Sequence, residues 1–365
     1  MAYISAVENF RRMMLREGPL WLPAELPVTP PVAELIERHA ATRDFVAAFK
    51  LDFRSVSVSF PDDPAQWRNA FAAIGFALPE KVEIGFAGIT HAVPAAADMG
   101  ASWHLRRLLH PLSVVRTVDQ LRALPWPDLS RPRVEHLESQ IRRIHDEEGR
   151  AVVGELACTV FESAWYLRGM ENLFADLADG NGLGDWLLDW FTARSVRAAA
   201  ELARAGVDVI ALGDDVGTQR GMLMSVDFWR RHLKPRLKRV IDSVRANQRQ
   251  YIFIRYHSDG DIRPIIPELI ELGIDILNPV QPECMPADDI VRQYKDALAF
   301  WGLVGTQSTM PFGTPHDVRQ QVARCAAWAR AGASIIVAPT HVLEPDVPWD
   351  NIRAFVDAVR AARLR

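Results

Sequence analysis

Short apolar runs alternate along this chain with longer stretches in which hydrophobic positions recur every three to four residues. The runs are FRSVSVSF (53–60), AVVGEL (151–156), VDVIALG (207–213), YIFIRY (251–256), DILNPV (275–280), LAFWGLVG (298–305) and SIIVAPT (334–340). Most are β-branched or aromatic and too short for helices, so each predicts a strand. Between them lie HLESQIRRIHDEEG, a stretch over 162–204 broken near Gly180 and Gly184, SVDFWRRHLKPRLKRVIDSVRA, IIPELIELG, ADDIVRQYKDA and HDVRQQVARCAAWARAG, and WDNIRAFVDAVRAARL follows the last strand. Their spacing predicts amphipathic helices. Strands apolar on both faces, joined through helices by short connections, are the pattern of a parallel sheet buried between layers.

Seven strands suit a doubly wound sheet, or a (β/α)8 TIM barrel with one strand unrecognised. The polar residues favour the barrel. Glu155, Asp214, Asp215, His257, Asp259, Asn278, Gln281, Thr306, Gln307 and His341 all fall at or just past the C-terminal ends of strands. A barrel gathers those ends at one mouth, whereas an open sheet spreads them along a line. The predicted organisation is an N-terminal helical extension over 1–52, then an α/β barrel over 53–365. In the extension, Pro30 and Pro31 interrupt the chain before one amphipathic helix, VAELIERHAATRDFVAAF. A Pro-rich insertion at about 61–130 reads as an irregular excursion covering one end.

Composition narrows the function. A chain of 365 residues that is 49% hydrophobic has ample core, which excludes disorder. A net charge of -4 argues against a nucleic-acid partner. Cys158, Cys284 and Cys325 form no CxxC pair and no disulfide framework. There is no apolar membrane span, no signal-peptide pattern and no GxGxxG or GxxxxGK[ST], so the expectation is a soluble cytoplasmic protein without a nucleotide site. Oligomeric state is not legible.

The candidate chemistry sits at the strand ends. YIFIRYHSDG offers His257 and Asp259 on either side of one residue, as metal ligands or as an acid–base pair. His341 repeats the placement after the last strand, and His257, Asp259 and His341 together read as a two-His, one-carboxylate metal site. Asp214 and Asp215 are adjacent, so only one can face the axis while the other ties down a loop. Glu155 either joins the chemistry with Asp215 and His257 or pairs with Arg255. Gln219, Asn278 and Gln281 are candidate substrate hydrogen-bonding groups. Trp301 and Trp349 are the tryptophans best placed to line a pocket, with Trp103 among others around the mouth.

Several segments carry a family resemblance: HPLSVVRTVDQLRALPWPD, FESAWYLRGMENLFADL, GDDVGTQRGMLMSVDFWRRHLKPRLK, HSDGDI, IELGIDILNPVQ and HVLEPDVPWDNI. Together they resemble the uroporphyrinogen decarboxylase-like superfamily, which is built on a (β/α)8 barrel. Its corrinoid-linked methyltransferase branch holds zinc through a His-x-Cys step and a later cysteine. His257 matches that histidine, Asp259 stands at the first cysteine, and His341 falls near the second. The resemblance thus implies a zinc or similar metal site with harder donors, methyl transfer between a small methylated compound and a corrinoid protein or other acceptor, and substrate contacts at the residues named above. The arginine-rich motif of the porphyrinogen decarboxylases is not reproduced in NFRRMMLREGPLWLP. Two alternatives stay open: a metal-free decarboxylase or lyase using Asp215 and His257 with Arg220, Arg255 and Arg263, and a non-catalytic binding barrel.

Overall fold

The computed structural model describes residues 4–92 and 108–364. All seven apolar runs supply strands: β1 (Phe53–Val56), β2 (Ala151–Ala157), β3 (Val209–Gly213), β4 (Phe253–His257), β5 (Ile276–Asn278), β6 (Ala299–Trp301) and β7 (Ser334–Ile336). They form one parallel sheet whose spatial order is the chain order. A doubly wound sheet reverses its order at a switch point, and this one does not.

The eighth regular strand of a full barrel is not found among the described residues. Residues 21–28 lie along the free edges instead. Ala24 bridges Val337 and Val28 bridges Leu343, both in parallel sense. On its other side Ala24 accepts a hydrogen bond from the Asp52 amide at the start of β1. One extended segment reaches both edges, so the sheet is curled. Pro23 and Pro27 lack the amide protons a regular ladder needs.

Side chains alternate along each strand, so the register divides them between two faces. Val153 and Glu155, Val209 and Ala211, Phe253, Arg255 and His257, Ile276 and Asn278, and Trp301 share the concave face. Helix α1 (Ala6–Leu15) closes the N-terminal end of this face with Phe10, which is fully buried. Its ring meets Phe53 edge-on at 5.2 Å and Phe253 at 5.7 Å. The opposite faces join the large core between sheet and helices.

Two local expectations change. Helix α2 (Pro30–Ala40) begins at the prolines, whose preset φ suits a first helical turn. It stops at Ala41, so the single predicted helix is two, the second being Phe45–Ala48. The excursion is not irregular either. It holds a helix Pro64–Ala73 and a three-stranded antiparallel sheet of Val82–Ile84, Thr90–Ala92 and Leu108–Leu109. Trp103 lies outside the described residues. Helix α3 (Phe161–Arg168) follows β2, and α4 (Leu183–Ala205) leads into β3. Trp190 of α4 packs against Trp126 and Phe86 of the excursion. Helix α5 (Trp349–Ala361) ends the fold. Among the described residues no helix is long and apolar enough to cross a membrane.

Candidate functional site

β3 and β4 deliver the site. Gly213 lies opposite His257 in the register, and a Cβ there would sit 2.4 Å from the His257 carbonyl oxygen. The loops that follow are bound to each other. Val216 donates to Ser258 Oγ at 3.0 Å, and Asp261 N donates to the Thr218 carbonyl at 2.9 Å. Gly260 has φ +81°, and a Cβ on it would lie 2.6 Å from the Thr218 nitrogen. Asp259 N donates to Asp215 Oδ1 at 2.7 Å, so the backbone of one loop positions the carboxylate of the other.

Asn278 then selects the state of His257. Its Nδ2 donates to the Trp301 carbonyl at 2.8 Å, which leaves Oδ1 facing His257 Nδ1 at 2.7 Å. A carbonyl oxygen only accepts, so Nδ1 carries a proton, and in the neutral ring this tautomer leaves the lone pair on Nε2. Nε2 lies 3.6 Å from Asp215 Oδ1 and 3.9 Å from Asp259 Oδ1. Asp259 Oδ1 is sealed from solvent and accepts no hydrogen bond among the described residues. Burial raises the Asp259 pKa, His257 opposes the rise and Asp215 adds to it.

Asp215, His257 and Asp259 thus offer three ligand atoms within 4.8 Å of one another. An imidazole nitrogen beside two carboxylate oxygens, one of which accepts no hydrogen bond among the described residues, fits a divalent cation. His341 stands beside this group, its ring centroid 6.2 Å from that of His257. Burial lowers its pKa, with Asp259 opposing. Of the predicted set of His257, Asp259 and His341, the first two belong to this group of three, whose third member is Asp215, expected to move a proton or orient substrate; His341 stands next to it.

The other predicted residues divide. Asp214 accepts the amide protons of Val160 and Glu162 at the start of α3, and burial pushes its pKa up to about 7. Glu155 is paired: Arg255 Nη2 donates to its Oε1 at 3.3 Å and Ser55 Oγ at 2.9 Å. Gln281 Oε1 accepts from Gly260 N at 3.1 Å and so shapes the Asp259 loop. Gln219 accepts from Cys284 Sγ at 2.9 Å. Trp301 is fully buried below His257, its ring under the Arg255 guanidinium at 4.5 Å. Trp349 stacks on His39 of α2 at 4.4 Å. Both tryptophans expected at a pocket have protein as their ring partners.

Two contributors were not anticipated. Glu25 enters from segment 21–28, accepting from Trp301 Nε1 at 2.8 Å and from Arg255 Nη1 at 3.3 Å. Burial raises its pKa against the pull of Arg255. The hint was a lone acid in the apolar, proline-bounded LPAELP. Glu162 holds the Asp215 amide at 3.1 Å and the Tyr166 hydroxyl at 2.7 Å. Burial, reinforced by Asp215 and Asp214, raises its pKa well above the usual range.

Comparison with known proteins fits this architecture. No curated protein matches the sequence. A methyltransferase from Methanosarcina mazei has a similar fold, with TM-score 0.62 and 18% identity over 98% of this chain and 99% of that one. A B12-independent methionine synthase from Shewanella sp. W3-18-1, in complex with selenomethionine, is 12% identical over 62% of this chain and 64% of that one, with TM-score 0.41. The family model of uroporphyrinogen decarboxylase (URO-D) matches residues 86–362, well over half of the chain and all three corners of the site. The chain belongs to the uroporphyrinogen decarboxylase family.

Proposed function

We propose that this protein is a cytoplasmic, metal-dependent methyltransferase that moves a methyl group from a small methylated compound to a corrinoid protein or another acceptor. One observation carries the reading. Asp259 Oδ1 is buried without a hydrogen-bond partner among the described residues, facing His257 Nε2 at 3.9 Å. Such an atom is costly unless something positive fills the gap. The similarity to a methyltransferase over nearly the whole chain supports the reaction class. In this reading residues 1–52 close one end of a (β/α)8-type barrel spanning 53–365, and segment 21–28 stands in for the missing strand.

His257, Asp215 and Asp259 would hold the ion, with zinc the expected occupant and His341 a nearby fourth donor. A bound divalent ion supplies a Lewis acid for the oxygen or nitrogen that gives up the methyl group. Asn278 and Gln281 are positioning residues, acting through His257 and the Asp259 loop. Glu155, on the concave face below His257, keeps a partly exposed carboxylate for a substrate donor.

The test is zinc content after loading and desalting, together with methyl transfer from 2-methoxyphenol to cob(I)alamin followed by absorbance. One equivalent of zinc, turnover, and loss of both in His257→Ala are expected. Zinc far below one equivalent would overturn the reading. So would carbon dioxide release from a carboxylated substrate that a chelator does not affect, which points to the decarboxylase alternative.

A further inference from the structure

Toward the mouth, the concave face of the sheet turns from apolar to polar within one step of each strand. On β1 it passes from Phe53 to Ser55, on β2 from Val153 to Glu155, on β4 from Phe253 to Arg255 and on β5 from Ile276 to Asn278. Phe53 and Val153 are buried, whereas Ser55 is exposed and Glu155 half-buried. Alternation carries the pattern past the end of β1: Val56, Val58 and Phe60 belong to the core, and Ser57 and Ser59 are exposed. Serines on the outer face of a sheet need no explanation. Ser55 is on the inner face, fixed there by its register with Val153. The cavity inside the sheet therefore reaches down to Ser55, Glu155 and Arg255. Arg255 precedes His257 by two residues on the same strand and face, so this floor lies about 7 Å below the metal-binding group.

The floor is a connected set. Ser55 Oγ donates to Glu155 Oε1 at 2.9 Å, and Arg255 Nη2 donates to the same oxygen at 3.3 Å. Arg255 Nη1 donates to Glu25 Oε2 at 3.3 Å. Among the described residues Glu155 Oε2 receives only Arg255, at 3.4 Å, and the Glu155 side chain is 30% exposed, which leaves lone pairs for a ligand O–H. Charge selects the ligand class. An anion here meets Glu155 and Glu25, a cation meets Arg255, and a neutral hydroxyl group meets neither repulsion. Serine hydroxyls both donate and accept, as hydroxyl groups of a ligand require. We propose that Ser55, Ser57 and Glu155 form a hydroxyl-binding subsite that receives a neutral, polyhydroxylated ligand. The distance from floor to metal group places those hydroxyls across a ring from the methylated oxygen. That the ligand is the methylated substrate rests on the function proposed above; the subsite itself does not.

The test uses the full chain with methyl β-D-glucopyranoside as probe, choline as a cationic comparison and methoxyacetate as an anionic one. Calorimetry is recorded for wild type, Ser55→Ala, Ser57→Ala and Glu155→Gln, with melting curves for each. Wild type is expected to bind the glucoside at millimolar concentration and the two ions more weakly. Each serine variant should bind the glucoside about threefold or more weakly, the effect of one hydrogen bond, and Glu155→Gln about tenfold or more. Ser57→Ala should melt within about 2 °C of wild type, so its loss of binding is not a loss of fold. The serine variants decide the matter even where Glu155→Gln, which weakens the hold on Arg255, does not fold. Absence of glucoside binding by wild type, unchanged binding in both serine variants, or tighter binding of choline or methoxyacetate would each overturn the proposal. The two proposals fail separately. Glucoside binding without zinc binding or methyl transfer defeats the methyltransferase reading alone, and zinc binding with transfer from 2-methoxyphenol but no glucoside binding defeats this one alone.

Discussion

Replacing Asn278 tests whether the tautomer of His257 is what makes a metal site of three side chains. Asn278 is 8% exposed and makes two short hydrogen bonds, 2.7 Å to His257 Nδ1 and 2.8 Å to the Trp301 carbonyl. Asn278→Ala removes both and leaves a buried N–H and a buried C=O without partners, at about 1–3 kcal/mol each. Water entering the vacated space recovers part of that, so a stability loss of about 2–4 kcal/mol is expected in urea denaturation. Metal affinity should fall separately. Loss of the group that orients a ligating histidine typically weakens binding by about 10–100-fold, or about 1.4–2.7 kcal/mol. A chromophoric chelator competing for zinc measures this directly. Asn278→Asp separates the two effects, because a carboxylate still accepts the Nδ1 proton but cannot donate to the Trp301 carbonyl. It should retain zinc affinity within a few-fold while losing stability. Zinc binding by Asn278→Ala equal to wild type would refute the reasoning, since the metal would then not depend on the Nε2 lone pair that Asn278 secures.

Three further outcomes follow from other parts of the fold. Gly213→Ala should abolish stoichiometric zinc binding, because the added Cβ lies 2.4 Å from the His257 carbonyl oxygen and one of the two strand ends must move; calorimetry with zinc reads this. Phe10→Ala should cost about 3–5 kcal/mol in denaturant unfolding, since a fully buried ring closing the concave face leaves a cavity. Burial pushes the Asp52 carboxyl up to about 7, despite hydrogen bonds from Trp21 Nε1 and the Ala24 amide. The unfolded carboxyl releases its proton near pH 4, so between about pH 4 and 7 the folded chain holds the extra proton. Raising the pH through that window therefore lowers stability, by up to about 1.4 kcal/mol per unit, and Asp52→Asn should remove this slope from urea curves measured at pH 5 and 7.5.

What could be read from the sequence follows from how locally each feature is determined. The seven strands were legible because burial on both faces leaves a continuous apolar run between helical periods. His257 and Asp259 were legible because one strand end presents them together. Glu25 was not, because its partner Arg255 is 230 residues away and the contact exists only once segment 21–28 lies along the sheet edge. The place of Asp215 in the group with His257 and Asp259 has the same origin: strand ends rank residues around a rim, but loop paths decide how far each side chain reaches across it.

The adjacent carboxylates show how far a local rule can extend beyond its element. Alternation allows only one of two neighbouring residues to face the axis, and strictly this applies within a strand. Both Asp214 and Asp215 lie past Gly213, the last residue of β3. The division nevertheless holds, because each carboxylate finds a different set of donors. Asp214 turns back to the amides that open α3, and Asp215 turns inward to the Asp259 amide and His257. Backbone donors left unpaired at a helix start and in a tight loop are fixed in place, and each holds one carboxylate. The site therefore depends on two backbone segments as much as on its side chains. Substitutions that shift α3 or the 257–261 loop should disable it without touching a ligand.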